Sequence, residues 1–184
     1  TDYGTALKII SIARFLAASS GDSLPHIQTW QLTHPIPYEE GITEDIYYTL
    51  CRDVGKDETL RQSFFQERCR QLGSHPLIAF DSTTQSTYSG NQIDARYGFN
   101  KDKDGLKTTK YLTLYSVDDR QPVAFTQQPG NLPDVTSLSN ALKQLDVLGQ
   151  CRPEIVTDNG YYSEENLAGM CLGGFRFITL AKRS

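Results

Sequence analysis

Twice in this chain a short apolar run leads straight into an aspartate. The first is Leu77-Ile78-Ala79-Phe80-Asp81-Ser82-Thr83-Thr84; the second is Glu154-Ile155-Val156-Thr157-Asp158-Asn159-Gly160. Short apolar runs bounded by polar turn formers read as strands buried in a sheet. Each acid then sits where its strand leaves the core. A fold that holds both strands in one sheet places two carboxylates on rigid supports.

The segments between and after these runs define the sheet. Tyr111–Val117 alternates and is rich in aromatic and β-branched residues, Asp118-Asp119-Arg120 makes a turn, and Pro122–Thr126 returns as a hairpin strand. Gln128–Asp134 is a loop ending in a helix cap. The helix that follows, Val135 to Leu148, turns Leu138, Leu142, Leu145 and Leu148 to the core and stops at Gly149. After the second acidic strand, Ser163 caps a helix with Glu164 and Glu165 in its first turn, which runs to about Leu172. Phe175–Leu180 is a last strand. The order is three strands, helix, strand, helix, strand. Hairpins make the first three strands antiparallel, and crossover helices make the later ones parallel to the first. The prediction is a mixed α/β sheet with its strand order open.

Ahead of it, residues 1–75 read as a helical region and 76–184 as the sheet domain. Leu7, Ile10, Phe15 and Leu16 form the stripe of a helix over Ala6–Ala18, widened by Ile9, Ile12 and Ala13. Residues 23–40, with three prolines, read as irregular chain. Thr43 caps a helix to about Asp53, stopped by Gly55, and a further helix spans about Asp57–Leu72 with Leu60, Phe64, Phe65, Cys69 and Leu72 on one side.

Composition narrows the partners. The chain is 38% hydrophobic and 22% charged with a formal net charge of -4, so nothing global marks a nucleic-acid binder. Phosphate contacts would need a local basic stripe. One exists: Arg96, Lys101, Lys103, Lys107 and Lys110, set against Asp102 and Asp104. It reads either as a solvated loop or as a face toward a phosphate backbone. Four cysteines without a C-x-x-C pair and three scattered histidines give no zinc pattern, and reduced thiols of a cytosolic protein are expected. No apolar run approaches the roughly 20 residues of a membrane helix. The chain starts at Thr1 without methionine and stops at Ser184 just after an apolar run, so both ends are expected to be cuts in a longer protein.

Two strand-end carboxylates suit Mg²⁺ or Mn²⁺, which take one or two carboxylates and leave the rest of the shell to water and substrate phosphates. In phosphoryl transfer such ions activate the attacking oxygen and steady the leaving one. Each aspartate alone reads equally as a turn residue, because Asp-Ser-Thr and Asp-Asn-Gly are good self-capping turns. Together, on strands of one sheet, they favour the metal. There is no G-x-S-x-G, P-loop or G-x-G-x-x-G to suggest other chemistry.

In order and spacing, these segments resemble the catalytic core of IS4-type DDE transposases over about Pro76 to Lys182. The matching stretches are Phe80-Asp81-Ser82-Thr83, the basic loop, the hairpin 111–126, Pro129-Gly130-Asn131-Leu132-Pro133-Asp134, Val156–Asn166 and the closing strand. The resemblance implies a ribonuclease H-like fold and an enzyme that cuts transposon ends and joins them to target DNA. It would be cytoplasmic and nucleoid-associated, and a homodimer is among the assemblies it allows. Asp81 and Asp158 match the first two catalytic acids and would ligate Mg²⁺ or Mn²⁺. The turn with Gly130, Asn131 and Asp134 is expected to be structural, and Glu164 and Glu165 to be helix-dipole partners. The family's third acid, a glutamate on a later helix, has no match before Ser184. The chain is therefore expected to bind Mg²⁺ weakly and not to cleave DNA alone. Two rivals stand beside this reading: a structure-specific nuclease of the same fold, and a non-catalytic DNA-binding or oligomerisation module.

Overall fold

A computed structural model describes residues 2–148 and 153–181. The helix stop at Gly149, the thiol of Cys151 and the end of the family match at Lys182 fall outside these residues. So do the side chains of Leu145 and Leu148. Two compact units are present, Thr1–Ser63 and Phe64–Ser184.

In the first unit, α1 (Tyr3–Ala18) starts at Asp2, whose carboxylate accepts from the Thr5 amide at 3.0 Å. Its buried residues are Ser11, Ile12 and Phe15, while Ile10 is 52% exposed, so the stripe is narrower than the apolar spacing suggests. A polar residue sets that face: the Ser11 hydroxyl donates to the Leu7 carbonyl and accepts from the Tyr38 amide. The segment expected to be irregular contains a helical turn, α2 (Ile27–Trp30), with Ile27 fully buried and Trp30 edge-on to Phe15. Thr43 caps α3 (Glu44–Lys56), which runs through Gly55 instead of stopping there. It ends at Asp57, whose carboxylate accepts from Leu60 and so starts α4 (Glu58–Arg70). A mid-helix glycine costs only about 1 kcal/mol, which this packing overrides. The core is Ile12, Phe15, Ile27, Ile42 and Tyr47.

The second unit takes the end of α4 into its core through Phe65 and Cys69, whereas Phe64 is exposed. Its strands are β1 (Leu77–Thr87), β2 (Lys107–Ser116), β3 (Gln121–Pro129), β4 (Glu154–Thr157) and β5 (Arg176–Thr179). The helices α5 (Asp134–Leu148) and α6 (Glu164–Leu172) connect β3 to β4 and β4 to β5. The order is β3-β2-β1-β4-β5, antiparallel among the first three strands and parallel from β1 to β4 to β5. This is the mixed α/β sheet expected from the sequence.

One expectation is corrected. β1 does not end at Phe80; it continues through Asp81 to Thr87 as a long ribbon with β2, Asp81 opposite Thr113 and Thr87 opposite Lys107. The extension is made of hydroxyl and amide residues, so apolar alternation gives no sign of it. Threonines suit the pleat, and alongside it Thr108, Thr109 and Lys110 of β2 and Gln128 of β3 are buried. What ends at the acid is the pairing with β4, which covers only Leu77 to Ala79. The carboxylate is therefore placed where the parallel neighbour stops.

Candidate functional site

Ala79 pairs with Val156 in parallel register, and two residues further along lie Asp81, within β1, and Asp158, just past the end of β4. Adjacent strands are about 4.8 Å apart. Both acids line one cavity of about 270 Å³ at the end of the β1–β4 pairing. Both carboxylates are exposed, and neither joins an ion pair among the described residues. Each spends one oxygen on a nearby amide: Asp81 Oδ1 accepts from the Ser82 amide at 2.8 Å within β1, and Asp158 Oδ1 from the Gly160 amide at 2.9 Å in the turn after β4. Asp81 is thus a strand residue and only Asp158 caps a turn, and either contact leaves the carboxylate further lone pairs to offer a ligand.

A third carboxylate lines the same cavity. Asp134, first residue of α5, accepts at Oδ1 from Lys110 Nζ at 2.7 Å and from the Ser82 hydroxyl at 3.0 Å. Lys110 also donates to the Leu132 carbonyl, and its side chain is 7% exposed. Asp134 is thereby committed to a lysine, and among the described residues no group of three His, Cys, Asp or Glu is placed to hold a metal ion. Two carboxylates, Asp81 and Asp158, form the free acidic pair. Sequence spacing put Lys110 with the basic loop; the structure turns it inward. The signal for that was weak: a lysine one position before the alternating run, on the face of buried Leu112 and Leu114.

One residue, Asn166, ties the turn after β4 to the start of α5. The buried Asn166 amide donates to the carbonyls of Val135 and Tyr161 at 2.9 and 2.8 Å. Tyr161 itself is buried and lines the cavity. Burial pushes its hydroxyl pKa up, the Ser82 hydroxyl works against this, and Asp134, Asp81 and Asp158 push the same way as burial. All three aspartates therefore lie within electrostatic reach of one phenol.

That phenol sets a pH dependence. An unfolded tyrosine ionises near pH about 10, while folded Tyr161 keeps its proton above that. Above pH ~10 the unfolded state then binds fewer protons, and stability falls as pH rises. Tyr161→Phe is expected to flatten this loss in urea unfolding run between about pH 9 and pH 11. Equal slopes for the two proteins would show that the phenol ionises normally.

The other basic residues sit in the loop between β1 and β2 or, for Lys107, at the first position of β2. Arg96 spends its guanidinium inside the loop, on the carbonyls of Ile93 and Ala95. Lys101 lines the cavity, Lys103 is exposed, and Lys107 lies 5.6 Å over the Tyr97 ring.

No protein-family model and no curated protein sequence matches the chain. Among solved structures, it is similar to the piggyBac transposase in a synaptic complex with hairpin DNA. The TM-score is 0.53 at 13% identity, over 97% of this chain and 41% of that one. More remote likenesses are the Mos1 transposase in a paired-end complex with the left transposon end and the Drosophila P element transposase in a strand transfer complex. The first has TM-score 0.41 at 12% identity, over 92% of this chain and 57% of that one. The second has TM-score 0.35 at 14% identity, over 96% and 46%. The chain spans less than two thirds of each. Strand order and the piggyBac likeness give the fold: a ribonuclease H-like mixed sheet preceded by helices. No helix among the described residues is long and apolar enough to cross a membrane.

Proposed function

We propose that the sheet unit is the catalytic core of a DDE-type transposase, of the IS4-like kind, acting on DNA by metal-dependent phosphoryl transfer. The observation that carries this reading is the pair Asp81 and Asp158, level on parallel neighbours and sharing one cavity. Their chemistry fits Mg²⁺ or Mn²⁺: hard oxygen donors that join no ion pair among the described residues, and an open side for phosphate. The ion, when bound, would supply Lewis-acid activation of a phosphoryl oxygen. The chain's own contribution is position. The Ser82 and Gly160 amides orient the two carboxylates, while Lys110 keeps Asp134 out of the ligand set. DNA, as transposon end and target, is the proposed partner, with Lys101, Lys103 and Lys107 facing phosphates and Arg96 and Lys110 holding the surface in shape. A homodimer is part of the same proposal.

With two of the family's three acids matched, weak binding and no cleavage by this chain alone are expected. Calorimetric titration with Mn²⁺ tests the site. Saturable binding should be lost in both Asp81→Ala and Asp158→Ala, because one carboxylate alone holds a divalent ion too weakly to detect. Absence of binding in the parent, or its survival in either variant, would remove the shared metal site. Among the described residues no group of three His, Cys, Asp or Glu is placed to hold a metal ion, which favours a second reading, a DNA-binding module without catalysis. That reading predicts DNA binding that survives chelation and loss of both aspartates.

A further inference from the structure

Residues 88–107 carry the most exposed apolar side chains of the sheet unit outside α6. Tyr88 is 89% exposed, Ile93 84%, Phe99 73% and Tyr97 71%. Such side chains on a floppy tail would mean little, but this loop is built. Arg96 and Thr108 exchange two backbone hydrogen bonds, of 3.0 and 2.9 Å, which fix it to β2. Ala95 is buried, and the Gly130 amide donates to the Asp94 carbonyl. Asn100 binds Ser86, Asp104 and the Leu106 carbonyl from one side chain. Gly98 lies so close to Gly130 and Asn131 that a Cβ would come within 2.6 Å of the Gly130 carbonyl. The rings are thus held out to solvent by a fixed backbone, and Phe99 reaches the rim of the Asp81–Asp158 cavity beside Lys101.

The charge of this loop is small. Arg96, Lys101, Lys103 and Lys107 face Asp94, Asp102 and Asp104, four against three, for a net +1. That is too little for the rigid, densely charged backbone of a duplex, whose binding scales with the number of phosphates neutralised. It suits a partner that offers flat apolar faces with few charges between them. Unpaired bases do so: they stack on aromatic rings without regard to sequence while scattered lysines follow the strand. Lys107 over the Tyr97 ring already combines the two contacts.

From these observations we infer that the β1–β2 loop is a stacking platform for single-stranded DNA, delivering unpaired nucleotides past Phe99 to the aspartate pair. This rests on the proposed action on DNA and specifies the form of DNA: strands opened at the site. Tyr97 and Phe99 carry the stacking, and Lys101, Lys103 and Lys107 supply a weak electrostatic component.

The test is fluorescence anisotropy of a labelled oligo(dT), and of a duplex of equal length, with the chain in EDTA. Metal binding, the readout for the aspartate pair, is thereby kept separate. The single strand is expected to bind at least ~10-fold more tightly than the duplex, with a shallow salt slope of about -2 in log–log form. Phe99→Ala and Tyr97→Ala should each weaken the single strand by ~10-fold. Both are exposed, so circular dichroism and the melting curve should not change. Lys101→Ala with Lys103→Ala should flatten the salt slope and leave ring-dependent binding. Equal affinity for duplex and single strand, with losses only in the lysine variants, would overturn the platform in favour of a backbone patch. So would ring variants that change sedimentation of the chain but not its DNA binding, since the patch would then be a contact between copies. Lost metal binding with retained single-strand binding would sink the aspartate site and leave the platform.

Discussion

Asp134→Ala is expected to destabilise the sheet unit by about 2–3 kcal/mol, far more than a surface aspartate warrants. The reason is the group left behind. Lys110 is buried with its ammonium on Asp134 and the Leu132 carbonyl, and without Asp134 it keeps one neutral partner. Removing one member of a fully buried pair costs about 3–5 kcal/mol. Asp134 is 43% exposed, so water recovers part of that, which sets the lower figure. Ser82 loses its acceptor as well. Lys110→Met alone should be milder, because the half-exposed carboxylate can hydrate, and the double substitution should recover much of the loss. Urea unfolding of the four proteins gives the coupling energy directly. Additive effects, or an Asp134→Ala loss below about 0.5 kcal/mol, would mean the pair is only a surface contact. A second consequence follows at the acidic pair. An uncompensated ammonium beside Asp81 and Asp158 repels a divalent cation, so Mn²⁺ affinity should fall in Asp134→Ala and recover in the double variant.

The same pair marks the limit of what the sequence discloses. Asp81 and Asp158 were legible because each ends an apolar run, and two such runs in a mixed sheet are easily placed side by side. The helices were legible where caps and periodicity agree, as at Thr43 and Ser163. What stayed hidden lacks an apolar period. The far half of β1 is hydroxyl and amide throughout, and its partner strand buries Thr108, Thr109 and Lys110, so a ribbon of eleven residues read as a strand of four and a loop. Lys110 read as one of five basic residues because charge is visible in a sequence and direction is not. Asp134 read as part of a structural turn, whereas it opens α5 and pairs with a lysine 24 positions earlier. Asn166 gave no signal, because two hydrogen bonds to distant carbonyls depend on the packing of α6 against the start of α5. In the helical unit, Ser11 displaced the expected stripe for a like reason: its partner, Tyr38, is 27 residues away.

Gly130→Ala is expected to be at least as damaging as loss of Asp134, by about 3 kcal/mol or more. A Cβ at Gly130 would sit 1.9 Å from the Thr108 carbonyl oxygen and 2.5 Å from its carbon. No rotamer relieves a clash with backbone, and Thr108 has little room to yield. It is fully buried, its carbonyl accepts from Arg96 and its amide donates to the Arg96 carbonyl. The chain must therefore move at Gly130 itself. Alanine restricts the unfolded chain and so favours folding by about 0.4–1 kcal/mol, which is too small to offset that displacement. Function is coupled to the same movement. Gly130 begins the turn that carries the Leu132 carbonyl and Asp134, both ligands of the Lys110 ammonium. Pushing the turn outward should loosen that ammonium and weaken Mn²⁺ binding in the fraction that still folds. Gly98→Ala is the informative companion. Its Cβ would press on the other side of the same turn, at 2.6 Å from the Gly130 carbonyl, but Gly98 is exposed and the displacement would fall on the loop that carries the rings, not on buried Thr108. The expected result is a smaller stability loss, near-normal Mn²⁺ binding and weakened oligo(dT) binding, because the rings move while the acids stay. Thermal unfolding with calorimetry on both variants checks this. A Gly130→Ala protein as stable as its parent would mean that the backbones of residues 108 and 130 do not approach as described.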